Sequence, residues 1–206
     1  MTLSPIRLEV EALVGSPLPI DLDLIKAHCA VDGTDQDDLL ETYLFAAINA
    51  FENTAHRALF RRGHIWTLKG FPLDAYQRID LPRGKTRSVD MIEYVSGGNV
   101  LILTGPTSGS PLGDDWQEDL RGDDGGTIMP PRGQSWPSTD SDAPDPVTIH
   151  FTAGWEVAEL PSDIVNALLW YVRTSLDDAR TDPQKTEANL RVFESLVSGY
   201  RLSRFY

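Results

Sequence analysis

Carboxylates are the commonest reactive groups in this chain, with 31 Asp and Glu against 18 Lys and Arg. Their densest cluster is DGTDQDD, from Asp32 to Asp38. Crowded acidic oxygens can hold a hard cation, but an EF-hand loop needs glycine at its sixth position and glutamate at its twelfth. Counted from Asp32, those positions hold Asp37 and Tyr43. The segment therefore reads as a solvated loop that caps the helix after it. DLRGDDGG, near residue 122, fails the same test and reads as a turn. His28, His56, His64 and His150 are scattered, and no two have metal-ligand spacing. Each reads as a packed or surface residue. The single cysteine, Cys29, lies in a predicted helix and reads as a small buried apolar group. One cysteine excludes an intrachain disulfide, which suits a reducing compartment. There is no nucleophile elbow, no glycine-rich phosphate loop and no His-x-Glu motif. A paired Asp/Glu site stays open among so many acids, but nothing singles out a pair. The sequence points to no catalytic residue, no metal and no cofactor.

Aromatic residues offer a different chemistry, that of contact. Trp66 and Trp170 read as core. Trp116, Trp136 and Trp155 fall in or beside loops, where a ring either folds back on its own sheet or is offered to a partner. The C-terminal YRLSRFY reverses the character of the whole, with Arg201 and Arg204, three aromatic rings and no acid.

The elements that must position these groups come in three blocks. IDLDLIKAHCA, residues 20–30, predicts a short helix with Asp21 as its cap and Leu24, Ile25 and Cys29 on the inner face. LLETYLFAAINAFENTAHRAL carries Leu40, Leu44, Ile48, Phe51 and Ala55 at helical spacing, widened by Leu39, Tyr43 and Ala47. So wide a stripe implies burial on more than one side, by a second helix or a neighbouring subunit. The period then becomes two. His64, Trp66 and Leu68 alternate against Ile65, Thr67 and Lys69, and strands also follow at RIDLP, SVDMIEYV, NVLILTG, GGTIMPP and VTIHFTAG. A Gly-Gly-Asn turn joins SVDMIEYV to NVLILTG as a hairpin. Helix resumes at Pro161, with Ile164, Leu168, Tyr171 and Val172 inward, and again from about Lys185 to Ser198, with Leu190, Phe193, Leu196 and Val197 in phase. The N-terminus alternates Ile6, Leu8 and Val10, as a strand or an arm, and lacks the basic and apolar blocks of a signal peptide. The expected class is α+β: a helical bundle with an inserted small antiparallel β subdomain. Residues 1–60 form the arm and first helices, 61–155 the β insertion, 156–199 the helices that complete the bundle, and 200–206 a tail.

A net charge of −13 opposes tight binding to nucleic acid at long range. It suits solubility, or a wall along which DNA slides without sticking. No run approaches the roughly 20 apolar residues needed to cross a bilayer.

Taken in order, PIDLDLIKAHCAVDGTDQDDLLETYLFAAINAFENTAHRAL, WTLKGFP, IDLPRGKTRSVDMIEY, GGTIMPPRGQSWP and VTIHFTAGW with LPSDIVNALLWYV resemble the head–tail connector, or adaptor, family of long-tailed phages and phage-derived gene transfer agents. These pieces cover about residues 18 to 175. The chain departs from the family at Gly84-Lys85-Thr86, where a proline-containing link is common, in LGDDWQEDLRGDD, which replaces a simpler strand, and at Glu156, where a second glycine is usual. The last thirty residues carry the least resemblance. The resemblance implies a structural, non-enzymatic protein of the particle neck, made in the bacterial cytoplasm. It implies a homo-oligomeric ring of about twelve copies under the portal, joined to tail or stopper proteins, with DNA passing through and no membrane. The basic, aromatic character of the tail makes Tyr200, Arg201, Leu202, Arg204, Phe205 and Tyr206 the expected portal-binding residues, on a tail mobile until it docks, against the alternative that its rings fold back on the preceding helix. Trp116, Trp136 and Trp155 are candidates for partner contact. An acidic protein-binding regulator and a carboxylate-dependent hydrolase are the competing readings.

Overall fold

A computed structural model of the chain describes residues 7–11, 18–73, 77–107, 111–178 and 183–202. Helices and antiparallel sheets together make a mixed α+β chain. It divides into two compact units, one of Met1–Leu13 with Arg61–Gly154, the other of Val14–Phe60 with Trp155–Tyr206.

The first unit is built from β1 (Arg7–Val10), β2 (Arg62–Leu68), β3 (Ile79–Asp80), β4 (Thr86–Ser96), β5 (Asn99–Leu103), β6 (Gln117–Asp119), β7 (Thr127–Met129) and β8 (Val147–Ala153). One sheet has the order β1-β2-β8-β4-β5 and the other β3-β7-β6. All pairings are antiparallel. The alternation in β2 buries His64, Trp66 and Leu68, and β8 buries Val147, Ile149, Phe151 and Ala153 opposite them. His64 lies across from Phe151 and stacks on its ring at 5.1 Å. The β4–β5 turn is Gly97-Gly98, with φ of 59° and 74°. Positive φ at both positions is the twist a two-residue hairpin needs, and it costs least at glycine.

Two assignments differ from the sequence reading. The N-terminal segment, grouped there with the helices, pairs with β2, from Arg7 opposite Thr67 to Val10 opposite His64. Its alternating residues find a ladder there that a helical unit cannot supply. Strand β6 lies in the acidic segment read as loop and turn. Gln, Glu and Asp have little strand preference of their own, and pairing with β7 imposes the extended form.

The second unit holds α1 (Leu22–Cys29), α2 (Asp37–Ala55), a 3-10 turn at Val157–Glu159, α3 (Ser162–Asp178) and α4 (Pro183–Ser198). Helix α3 packs against α1, α2 and α4. Asp21 caps α1 by accepting the Asp23 amide at 3.0 Å. On α1 Ile25 is buried, whereas Leu24, one residue and about 100° around the helix, is exposed, and Cys29 is half-buried. The α2 stripe Leu40, Leu44, Ala47, Ile48, Phe51 and Ala55 is buried throughout, while Leu39 and Phe45 stay open. Gln36 precedes α2 without a side-chain cap, so the aspartate loop serves the helix by charge instead. Asp37 and Asp38 sit in the first turn, where the helix dipole favours anions, and Asp37 pairs with Lys26 at 2.6 Å. Helix α4 starts at Pro183, earlier than the apolar phase indicates, because proline fits a first turn. Phe193 and Val197 are buried, but Leu190 is exposed and Leu196 only half-buried.

Candidate assembly surface

The C-terminal segment begins as part of the second unit's core. Helix α2 ends at His56, whose left-handed φ of 54° turns the chain. The carbonyls of Thr54 and Ala55 have lost their next helical partners there. The segment after α4 supplies replacements: the Leu202 amide donates to Ala55 O at 3.0 Å, and Arg201 Nε to Thr54 O at 3.1 Å. Arg57, buried, donates its Nε to Tyr200 O and lies 5.8 Å over the Trp155 ring. The Tyr200 ring stands 6.3 Å from Phe51 and 6.5 Å from Trp155. Leu202 is 1% exposed. The expectation of a tail mobile from residue 200 is thus corrected for Tyr200, Arg201 and Leu202. Orphan helix carbonyls and an apolar pocket hold them. Arg204, Phe205 and Tyr206 lie outside the described residues.

The loop tryptophans also turn inward. Trp116, Trp136 and Trp155 are 3%, 8% and 3% exposed. Trp136 stacks on Phe71 at 4.8 Å and donates its indole N–H to Gln77 O at 2.6 Å. Trp116 lies so close to Gly105 that a Cβ there would sit 2.2 Å from its ring. Trp155 donates its amide to Leu59 O at 3.0 Å. Of the two readings weighed for these rings, folding back is the one the geometry supports, and little indole surface is left for a partner. Trp170 is only half-buried and meets His28 edge-on at 5.9 Å.

Many loop acids act locally as ties. Asp140 accepts the amides of Gly97 and Gly98 at 2.8 and 2.7 Å, and these bonds hold its carboxyl below the usual range. Asp115 accepts the Thr104 amide at 2.7 Å. An open groove of about 630 Å³ is lined by Pro111, Leu112, Gln117 to Arg121, and Met129. Burial pushes Glu118 up, helped by the charge of Asp90. Bonds from Arg121 hold Asp119 down to about 2. Carboxyls displaced in opposite directions are the raw material of acid–base catalysis. Glu118 and Asp119, however, are successive residues of β6, whose side chains leave opposite faces of the strand and do not converge on one reacting atom.

His64 is buried with its Nδ1 on Arg62 O at 3.0 Å. Burial, with the charges of Arg62 and Arg83, lowers its pKa to about 4. His150 faces Glu93 at 3.3 Å. His28 is lowered by burial and by Arg173. Among the described residues no group of three or more His, Cys, Asp or Glu side chains is placed to hold a metal, and no helix is long and apolar enough to cross a membrane. Open apolar side chains escaped the sequence reading: Val100 and Ile102 on β5, and Leu24, Leu39 and Phe45 on α1 and α2. Periodicity marks them as apolar but not as uncovered.

Residues 19–92 match the family model described as Phage gp6-like head-tail connector protein. No curated protein matches the chain. Among solved structures, a chain in "Neck of empty GTA particle computed with C6 symmetry" is 21% identical with a TM-score of 0.69, covering 98% of this chain and 98% of that one. A chain in "Virion of native gene transfer agent (GTA) particle" is 21% identical with a TM-score of 0.67, covering 100% of this chain and 98% of its own. A chain in "Neck of native GTA particle computed with C12 symmetry" is also 21% identical, with a TM-score of 0.61 over the same shares. These likenesses extend the shared fold over the whole length.

Proposed function

We propose that the chain, whose residues 19–92 match the model of the phage gp6-like head–tail connector family, is a structural connector in the neck of a phage or gene transfer agent particle. The family match carries this reading. It is supported by a fold that runs, over nearly the full length of both chains, like chains from necks and virions of gene transfer agent particles. The connector forms a ring of about twelve copies by heterologous contacts that close. It sits under the portal and receives a tail or stopper protein on its other side. Its helices act as one bundle, interrupted between α2 and α3 by strands β2 to β8 of the β unit.

The portal contact falls to Arg204, Phe205 and Tyr206, beyond the point where Leu202 is fastened to α2. Arginines pair with carboxylates and rings fill pockets, while the ordering cost is offset by ring avidity. DNA passes through the ring unread. A chain of net charge −13 presents it with like charge, which opposes sticking. The role is mechanical rather than catalytic: no residue is assigned to turnover.

Native mass spectrometry of the chain with its portal, and a reconstruction of the particle neck, test the proposal. The expected result is a monomer or small oligomer alone in dilute solution and a closed ring on the portal. A neck holding one copy or three, or particles complete without the chain, would sink it.

A further inference from the structure

Strand β5 ends the five-stranded sheet. Exposed edge strands in soluble proteins are usually protected by a charge, a proline, a bulge or a cover. Asn99–Leu103, sequence NVLIL, has no charge and no proline, and its pairing with β4 runs without a register shift.

The direction of its backbone groups follows from the hairpin. A two-residue turn makes Ser96–Asn99, Tyr94–Leu101 and Ile92–Leu103 the pairs that exchange ladder bonds, and leaves Val95–Val100 and Glu93–Ile102 as the pairs that do not. Val95 bears this out: its N–H donates to Pro146 O at 2.8 Å, and its carbonyl accepts the Asp140 amide at 3.0 Å, both away from β5. Val100 and Ile102 accordingly turn their N–H and C=O groups toward the open edge. Their side chains are 66% and 61% exposed. Two backbone positions ready to pair thus coincide with two large uncovered apolar groups.

Charge selects the occupant. Copies of a chain of net charge −13 repel each other wherever their acids meet. From Val95 to Gly113 there is no Asp, Glu, Lys or Arg, in a chain whose charged content is 24%. Glu93, opposite Ile102, is already faced by His150 at 3.3 Å. We propose that the open edge of β5, with Val100 and Ile102, is the surface through which one copy of this chain contacts the next. This rests on the ring reading above and names one of the two patches that a closed heterologous ring needs, the β5 edge being set against a different face of the next copy. Strand addition pairs the outward N–H and C=O groups and buries both apolar side chains, and the β5 side brings no charge to the contact. So small a contact is weak by itself and persists only where other copies and the portal hold the subunits side by side.

Particles assembled with a photoreactive benzoylphenylalanine in place of Ile102 provide the test. The expected product is an adduct of two copies of this chain. Ile102→Lys, at an exposed position, should leave the melting temperature unchanged and abolish the multi-copy neck. Adducts to another protein, or none from a neck that holds many copies, or a complete neck with Ile102→Lys, overturn the edge contact and leave the ring intact. A neck with a single copy of the unmodified chain overturns the ring itself, and the edge contact with it.

Discussion

Lowering the pH should remove stability through one buried side chain, His64. The imidazole stacks on Phe151 and is 1% exposed. Burial chiefly, then the Arg62 and Arg83 charges, bring its pKa from 6.5 to about 4, against the opposing pull of the Arg62 carbonyl. The folded state therefore binds its proton more weakly than the unfolded chain does. Above about pH 6.5 both states are neutral there and the fold loses nothing. As pH falls from 6.5 toward 4, the unfolded chain is protonated first and the fold is weakened. The linkage amounts to about 2 kcal/mol at pH 5 and about 3 kcal/mol at pH 4. With a urea m-value of about 2 kcal/mol/M, the pH 5 loss moves the unfolding midpoint by about 1 M. The assay compares urea unfolding at pH 7 and pH 5 for the parent chain and His64→Phe. Phenylalanine keeps an aromatic ring against Phe151 and cannot titrate. The variant differs in absolute stability at both pH values, so the informative quantity is the change between them. That change should be smaller in His64→Phe by about 2 kcal/mol, since all other titrating groups are common to both. An equal loss in the two proteins would refute the assignment of the acid sensitivity to His64.

Three further outcomes follow from contacts of the same kind. Gly105→Ala places a Cβ 2.2 Å from the buried Trp116 ring, and overpacking of this sort costs about 1–3 kcal/mol, read as a lower melting temperature; an unchanged one contradicts the packing described. Asp140→Ala removes the acceptor of the Gly97 and Gly98 amides, so both should exchange hydrogen faster. Because the Asp140 carboxyl is held below its ordinary value, its contribution is present above about pH 4 and fades below, and the variant should lack that portion of the acid transition. Deleting residues 200–206 removes Leu202 from its buried site and should cost about 2–5 kcal/mol, read as a lower melting temperature; an unchanged one contradicts the docking of Leu202 described.

Local pattern sufficed for much of the chain, because its cause is local. The Leu40 to Ala55 stripe, the alternation of His64, Trp66 and Leu68, and the Gly97-Gly98 turn each depend on residues a few positions apart, whose period or conformational freedom is written in their types. The order of helices, strands and helices followed from the same signals, and the resemblance to head–tail connectors rested on the order and wording of whole segments. What depended on distant partners was not legible. Strand β6 exists because β7 lies beside it, and β1 joins the sheet because β2 offers a ladder more than fifty residues along the chain. Whether Trp116, Trp136 and Trp155 face in or out turned on Gly105, on Phe71 with Gln77, and on Arg57 with Tyr200, contacts that no spacing rule brings together. Tyr200 to Leu202 look like the start of a free tail until the carbonyls at the end of α2 are seen to lack partners. Val100 and Ile102 read only as apolar residues of a hairpin strand, since hydrophobicity records what a side chain avoids and not whether the fold has anything left to cover it.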